Sequence, residues 1–398
     1  MPNDVLPASP ASGPARGEAS NDLDVLATGD FRVVVDSIGR ADARLIAVLA
    51  RALGRSEQQM AELLLRTPAI LLDAVPRELA EQTARLLAET GIDVRVMSRD
   101  APFVAGDDNF EVALIVHELD HVTELVAEVA RLVGCAVPQA IELVCATPAV
   151  LIGGISAGTV EALRERFGRW GAELAVTDAR LARYDVFVAE SEPNSLGRVA
   201  RLLDGLGLAR NASAGPLIAS DLDRSQALAL WERLRGSGGP LRVLDREFAR
   251  FDIRLLGLGA APSPELAQWL ADDTGMPIEL ARDLGRHLPL ILHEELPRER
   301  AEACLLALAE LSGGEARAEA LLTTFQTFDL ELQTIGERGP TLELLAGLGR
   351  VPGERLGELE PQLARLPLRI PGPFAKLRAR WLVHECARIG TQLELVPR

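Results

Sequence analysis

The chain is 398 residues long, roughly two to five times a usual domain, and its 48% hydrophobic content and mean hydropathy of +0.12 exclude wholesale disorder. Its 58 acidic residues outnumber 42 basic ones, giving a net charge of −16, which excludes the basic footprint of a nucleic-acid binder. Lys376 is the only lysine, so phosphate-cradling, Schiff-base and lysine-base chemistry have almost no foothold. Residues 1–28, rich in Pro, Ala, Ser and Gly, read as a disordered tail with neither the charged nor the apolar region of a secretory signal. No apolar run approaches a membrane span, and Cys135, Cys145, Cys304 and Cys386 form no Cys-x-x-Cys pair. These features predict a reduced, cytoplasmic protein that does not engage membranes.

Along the chain, strand-like segments that open on an aromatic residue recur: FRVVV at 31, FEVAL at 110, YDVFV at 184, FDIRL at 251 and FDLEL at 328. Each alternates as a strand with one buried face should. Fixed punctuation follows. Gly54, Pro68 and Gly91 are spaced by 14 and 23 residues, as are Gly134, Pro148 and Gly171, and Gly353, Pro367 and Gly390. Gly275 and Pro289 keep the first interval, and Gly313 misses the second by one residue. Self-similarity at such a period is the mark of tandem units.

The punctuation has physical reasons. Val122, Leu125, Val126, Val129 and Val133 form the apolar stripe of a first helix. Gly54 suits its left-handed C-terminus, Ser56 with Gln59 a capping box for the next helix, and Pro138 and Pro277 first-turn positions. Pro68, Pro148 and Pro289 stop that second helix and open the short strands AILL, AVLI and LILH. A third helix follows, with Ala301, Cys304, Leu305, Leu308 and Leu311 as its stripe in the fourth copy, and a last strand closes each unit. The expected units are 29–98, 109–178, 183–245, 250–319 and 327–398. In the third, 183–245, the second helix or strand is expected to be shortened. In the fifth, the two prolines of RIPGP are expected to weaken the second strand.

The repeat resembles the C-terminal domain of the bacterial ribosomal stalk protein L-seven/L-twelve, of the ClpS-like fold. The resemblance rests on FRVVV, on Gly54, Pro68 and Gly91, and on the parallel runs PRELAEQTARLLAETGIDVRV and SAGTVEALRERFGRWGAELAV. It implies an α+β chain of five small domains, each β-α-α-β-α-β with a three-stranded antiparallel sheet covered by helices. It also implies recruitment of a partner, in that family a translation GTPase, through a basic face at the glycine turn and second helix. The lysine positions of that face are Gln58 and Ala61, Pro138 and Ile141, Glu279 and Arg282, and Gly357 and Glu360 here, so only Arg282 keeps the charge.

His117, Glu118 and His121 spell His-Glu-x-x-His, a zinc-hydrolase pattern that needs both histidines on one helix turn. The repeat places His117 in the turn before the helix, so loop or cap roles are expected. Gly205 and Gly207 read as a helix end, and GSGGP at 236–240 as a loop. Cys304 and Cys386 read as core, and Asp272 and Asp273 as solvated surface. The one basic run, 365–380, holds Arg369, Lys376, Arg378 and Arg380, either a solvated face or a dock for an acidic partner. The outward positions Val34, Ala113 and Phe187 predict covered sheet faces in the early copies, and Arg254 and Glu331 predict solvated ones later. The expectation is a non-enzymatic scaffold or adaptor without cofactor, binding one or more proteins by several weak surfaces, with self-association as a further option. Recruitment of a GTPase and zinc hydrolysis at the histidine motif are the alternatives.

Overall fold

A computed structural model of the chain describes residues 29–398 apart from 107, 189–196, 198–200, 210–216, 235–240 and 260. The tail at 1–28 and the GSGGP loop lie outside the described residues. Five separate three-stranded antiparallel sheets follow one another, with orders β2-β1-β3, β5-β4-β6, β8-β7-β9, β11-β10-β12 and β14-β13-β15. In each, the strand that opens on the aromatic residue lies at the centre. The chain divides into two compact units, Met1–Leu181 with the first two sheets and Ala182–Arg398 with the other three.

Copy one runs β1 (Phe31–Ser37), α1 (Ala43–Ala52), α2 (Glu57–Leu65), β2 (Ala69–Val75), α3 (Arg77–Glu89) and β3 (Asp93–Ser98). Copy two repeats it as β4 (Phe110–Val116), α4 (Val122–Val133), α5 (Val137–Val144), β5 (Ala149–Ile155), α6 (Ala157–Gly168) and β6 (Ala172–Asp178). Copy three shows β7 (Tyr184–Val188), β8 (Leu217–Leu222), α7 (Arg224–Leu234) and β9 (Leu241–Asp245), with helix also at 201–205. The place of its second helix falls outside the described residues. Copy four has β10 (Arg250–Gly257), α8 (Pro264–Thr274), α9 (Ile278–Arg282), β11 (Leu290–Pro297), α10 (Arg298–Leu311) and β12 (Arg317–Leu322), which runs beyond residue 319. Copy five has β13 (Thr327–Thr334), α11 (Arg338–Gly347), α12 (Gly353–Leu359), β14 (Leu368–Ala375), α13 (Lys376–Arg388) and β15 (Gln392–Pro397). Among the described residues no helix is long and apolar enough to cross a membrane.

The local signals act as their chemistry requires. The Ser56 hydroxyl accepts from the Gln59 N–H while the Gln59 side chain accepts from the Ser56 N–H, closing the capping box. Gly134 and Gly275 end α4 and α8 at φ 74° and 72°, which a side chain would disfavour. The peptide bonds before Pro68, Pro148, Pro289 and Pro367 are all cis.

Two expectations for copy five are corrected. RIPGP does not break the strand: β14 pairs with β13 at Leu330↔Ile370 and again at Phe328↔Phe374. The register skips between those pairs, so Pro371 and Pro373 sit in a bulge of an edge strand, where the lost N–H donors are tolerated. Gly353 keeps its spacing but opens α12, and the left-handed residue after α11 is Arg350, at φ 54°.

Candidate functional site

The residue after the opening aromatic is Asp185, Asp252 or Asp329 in copies three to five, and it points to the sheet face away from the copy's own helices. Each of these carboxylates accepts a backbone N–H from the irregular part of the neighbouring edge strand. The donors are Asp221 at 3.1 Å, Glu295 at 2.9 Å and Gly372 at 2.6 Å. Asp221 and Glu295 are left-handed, at φ 64° and 58°. The bulge thus turns an N–H inward, and a fixed side chain satisfies it.

A carboxylate held there also needs a cation, and the next copy supplies it from the first residue of its third helix. Arg298 of α10 pairs with Asp185, which is 0% exposed. Lys376 of α13 donates to both oxygens of Asp252, at 2.8 and 2.7 Å, with side-chain exposures of 5% and 3%. Arg380, one turn on, reaches Glu294 at 3.0 Å. Apolar packing accompanies these pairs: Phe187 and Leu244 of copy three, with Ala249 of the linker, join the core of copy four, and Phe187 meets Phe251 at 6.1 Å between ring centroids. Copies one and two join by the same elements, with α6 packed on β1, but through hydroxyls. Thr67 Oγ1 lies 3.3 Å from Ser156 Oγ, and the Thr159 hydroxyl donates to the Leu65 carbonyl at 2.8 Å. Arg166 pairs with Glu128 and donates to the Ala41 carbonyl at 2.7 Å.

This architecture places the basic run inside the chain. Lys376 is buried against copy four, Arg378 is buried and donates to the Leu348 carbonyl at 3.1 Å, and Arg380 is engaged by Glu294. Arg369 bonds Asp329 of its own copy at 2.8 Å. Of the five basic candidates, Arg282, at the end of α9, is the exposed one without such a role. Val34, Ala113 and Phe187 are buried as expected, at 0%, 1% and 1% exposure. Arg254 and Glu331 are half-buried, but the sheet face of copy four is not fully solvated, since Lys376 covers Asp252 beside Arg254.

The histidine motif does not assemble. His117 and Glu118 follow β4 outside any helix, and His121 is the N-cap of α4. His117 Nε2 bonds Glu173 Oε2 at 3.1 Å, while the His121 ring lies 6.0 Å from that of Trp170, which stands in the turn after α6. One turn of helix shared by both histidines, the geometry a zinc hydrolase requires, is absent.

Among the described residues, the group of His, Cys and acidic side chains that does converge is Asp273, His293 and Cys304, whose donor atoms all lie within 4.8 Å of one another. Asp273 stands in the last turn of α8, His293 on β11 and Cys304 on α10. His293 Nε2 is 2.7 Å from Asp273 Oδ2, and Arg300 approaches the other Asp273 oxygen at 3.7 Å. Burial, reinforced by the Asp273 charge, pushes the Cys304 thiol up to about 11. Asp273 therefore has a defined partner and is only partly solvated, at 23% exposure. Read one by one, these residues looked like surface, strand and core, and only a copy-by-copy comparison of equivalent positions singles them out.

The fold and junctions define a class: an α+β chain of small repeated β/α domains, with buried polar contacts joining copies one and two, three and four, and four and five. No protein-family model, curated protein or solved structure matches the chain.

Proposed function

We propose that the protein is a non-enzymatic, multivalent protein-binding scaffold or adaptor built from stalk-C-terminal-like domains of the ClpS type. The observation that carries this reading is the edge of copy two at its glycine turn. Val133, before Gly134, is 39% exposed and Val137, which opens α5, is 51% exposed. Copy four offers Leu280, 38% exposed, beside the exposed Arg282 at the matching edge. In copy one the corresponding stretch is polar, with Arg55, Ser56, Glu57 and Gln58 all exposed. The edges therefore differ in chemistry from copy to copy. Several weak, dissimilar surfaces on one chain suit an adaptor that gathers different partners by effective concentration.

The test is affinity purification with the full chain and with a Val133→Asp/Val137→Asp variant, both side chains being exposed enough to leave the fold intact. A partner retained by the parent and reduced at least about tenfold by the variant supports the reading. An identical set of captured proteins removes this edge from it. Retention of a GTPase only in the presence of a GTP analogue would identify the task as that of the stalk family.

A further inference from the structure

We propose that Asp273, His293 and Cys304 of copy four form a binding site for a zinc(II) ion, with a fourth position left for water. The donor set is one carboxylate, one imidazole and one thiolate, which suits a borderline-soft divalent cation and not calcium or magnesium. The three residues come from α8, β11 and α10, regular elements that hold them without a mobile loop. Their donor atoms lie within 4.8 Å of one another, and a tetrahedral ion asks for separations of about 3.3 Å. Capture therefore needs the 2.7 Å contact between His293 and Asp273 to open slightly while the thiol closes in. Side-chain exposures of 14% for His293 and 23% for Asp273 leave an entry path from solvent.

The other copies supply an independent argument. Each copy has a structural equivalent of these three positions; most are buried, while Ala52 and Gly205 are exposed and Leu72, Thr83 and Ile152 are half-buried. Two residues before the left-handed residue that follows the first helix stand Ala52, Leu132, Gly205 and Leu348, against Asp273. Opposite the buried inward residue of the central strand stand Leu72, Ile152, Ala219 and Ile370, against His293. The seventh residue of the third helix is Thr83, Leu163, Leu230 or Leu382, against Cys304. Three positions that in the other copies carry no metal-binding side chain carry ligand-type side chains together in one copy. Simultaneous change at three converging positions is what a metal site requires.

A bound cation also gives the buried thiol its function. The neutral thiol loses its proton to solvent as the Cys304 sulfur bonds the metal, and the neighbouring Asp273 charge, which disfavours a bare thiolate, is then offset by the ion.

The experiment uses the full chain, reduced and freed of metal, titrated with cobalt(II) and then zinc(II). One equivalent of cobalt should give a thiolate-to-cobalt charge-transfer band and the strong visible bands of a tetrahedral ion, and zinc should displace it. Asp273→Ala, His293→Leu and Cys304→Thr install the residues that copy one carries at the equivalent positions. Each should weaken binding by at least about tenfold, and Cys304→Thr should abolish the charge-transfer band. His117→Ala/His121→Ala should leave both stoichiometry and spectrum unchanged. Zinc should raise the melting temperature of the parent but not of the triple variant. Absence of the charge-transfer band in the parent, or one equivalent of metal retained by a folded triple variant, overturns the proposal.

Discussion

Asp252 shows how a single carboxylate ties two copies together. It satisfies the bulge N–H of Glu295 in its own copy and takes both of its side-chain hydrogen bonds to Lys376 from the next. Its burial makes the pair asymmetric in cost. Removing the cation alone leaves a charge stranded in a low-dielectric site, whereas removing both charges does not. Lys376→Met is therefore expected to destabilise copies four and five by about 3–5 kcal/mol, and Asp252→Asn in the same chain to recover much of the loss. Urea titration followed by the fluorescence of Trp381, buried in α13 one turn beyond the substitution, reads the relevant region. Equal destabilisation by the single and double variants would show that the pair contributes nothing beyond packing. From the sequence, Lys376 looked like part of a solvated basic face. Its burial was hidden because the residue that neutralises it lies 124 positions away.

At the scale of elements, the residues with a strict local geometry were the ones legible in the sequence. A capping box, a left-handed glycine and an alternating strand each act over a few residues, so Ser56, Gly134 and FEVAL announced themselves. β14 was misjudged because tolerance of proline depends on which strand is at the edge, a fact of sheet order rather than of local sequence. Gly353 was misjudged for the converse reason, its spacing surviving while the turn moved to Arg350. The candidate metal ligands were illegible as a group because Asp273 and His293 are 20 residues apart, and each has an ordinary reading alone. The glycines separate local from interface effects. Gly275→Ala meets open space and should cost only the left-handed backbone penalty, about 1–2 kcal/mol. Gly134→Ala carries the same penalty and also places a methyl group 2.6 Å from the Ala43 side chain of copy one, so it should cost distinctly more. Thermal unfolding of the two variants checks the order, and equal losses would mean that the contact between α4 and copy one yields freely.

At the largest scale, stability within each compact unit is distributed over contacts between neighbouring copies, as in repeat arrays. A chain shortened to end before copy five would leave Asp252 without its cation and Glu294 without Arg380. It should unfold at a lower urea concentration than the same copies within the full chain. Copy five meets the same problem differently. Arg369 bonds Asp329 at 2.8 Å, Arg398 stands at 3.5 Å, and the Gly372 N–H holds the carboxyl below its usual range. Ile291 occupies the strand position in copy four that Arg369 occupies in copy five, opposite Arg254 and Glu331 respectively. Ile291→Arg should therefore restore part of the stability of the shortened chain, and a midpoint unmoved by it would show that the cation in copy five does not substitute for a neighbour.

That substitution bears on how such a chain can lengthen. Copy four presents a carboxylate whose counter-charge arrives from outside, and Asp185 of copy three adds Arg298 of copy four to the Arg246 that reaches it at 3.3 Å, so duplication of an interior unit reproduces donor and acceptor together. Copy five already holds its counter-charge, and stacking a further unit on its sheet would have to displace Arg369 first. Arginine at this one strand position thus acts as a full stop in the grammar of the array, and insertion is easier in the interior than at copy five.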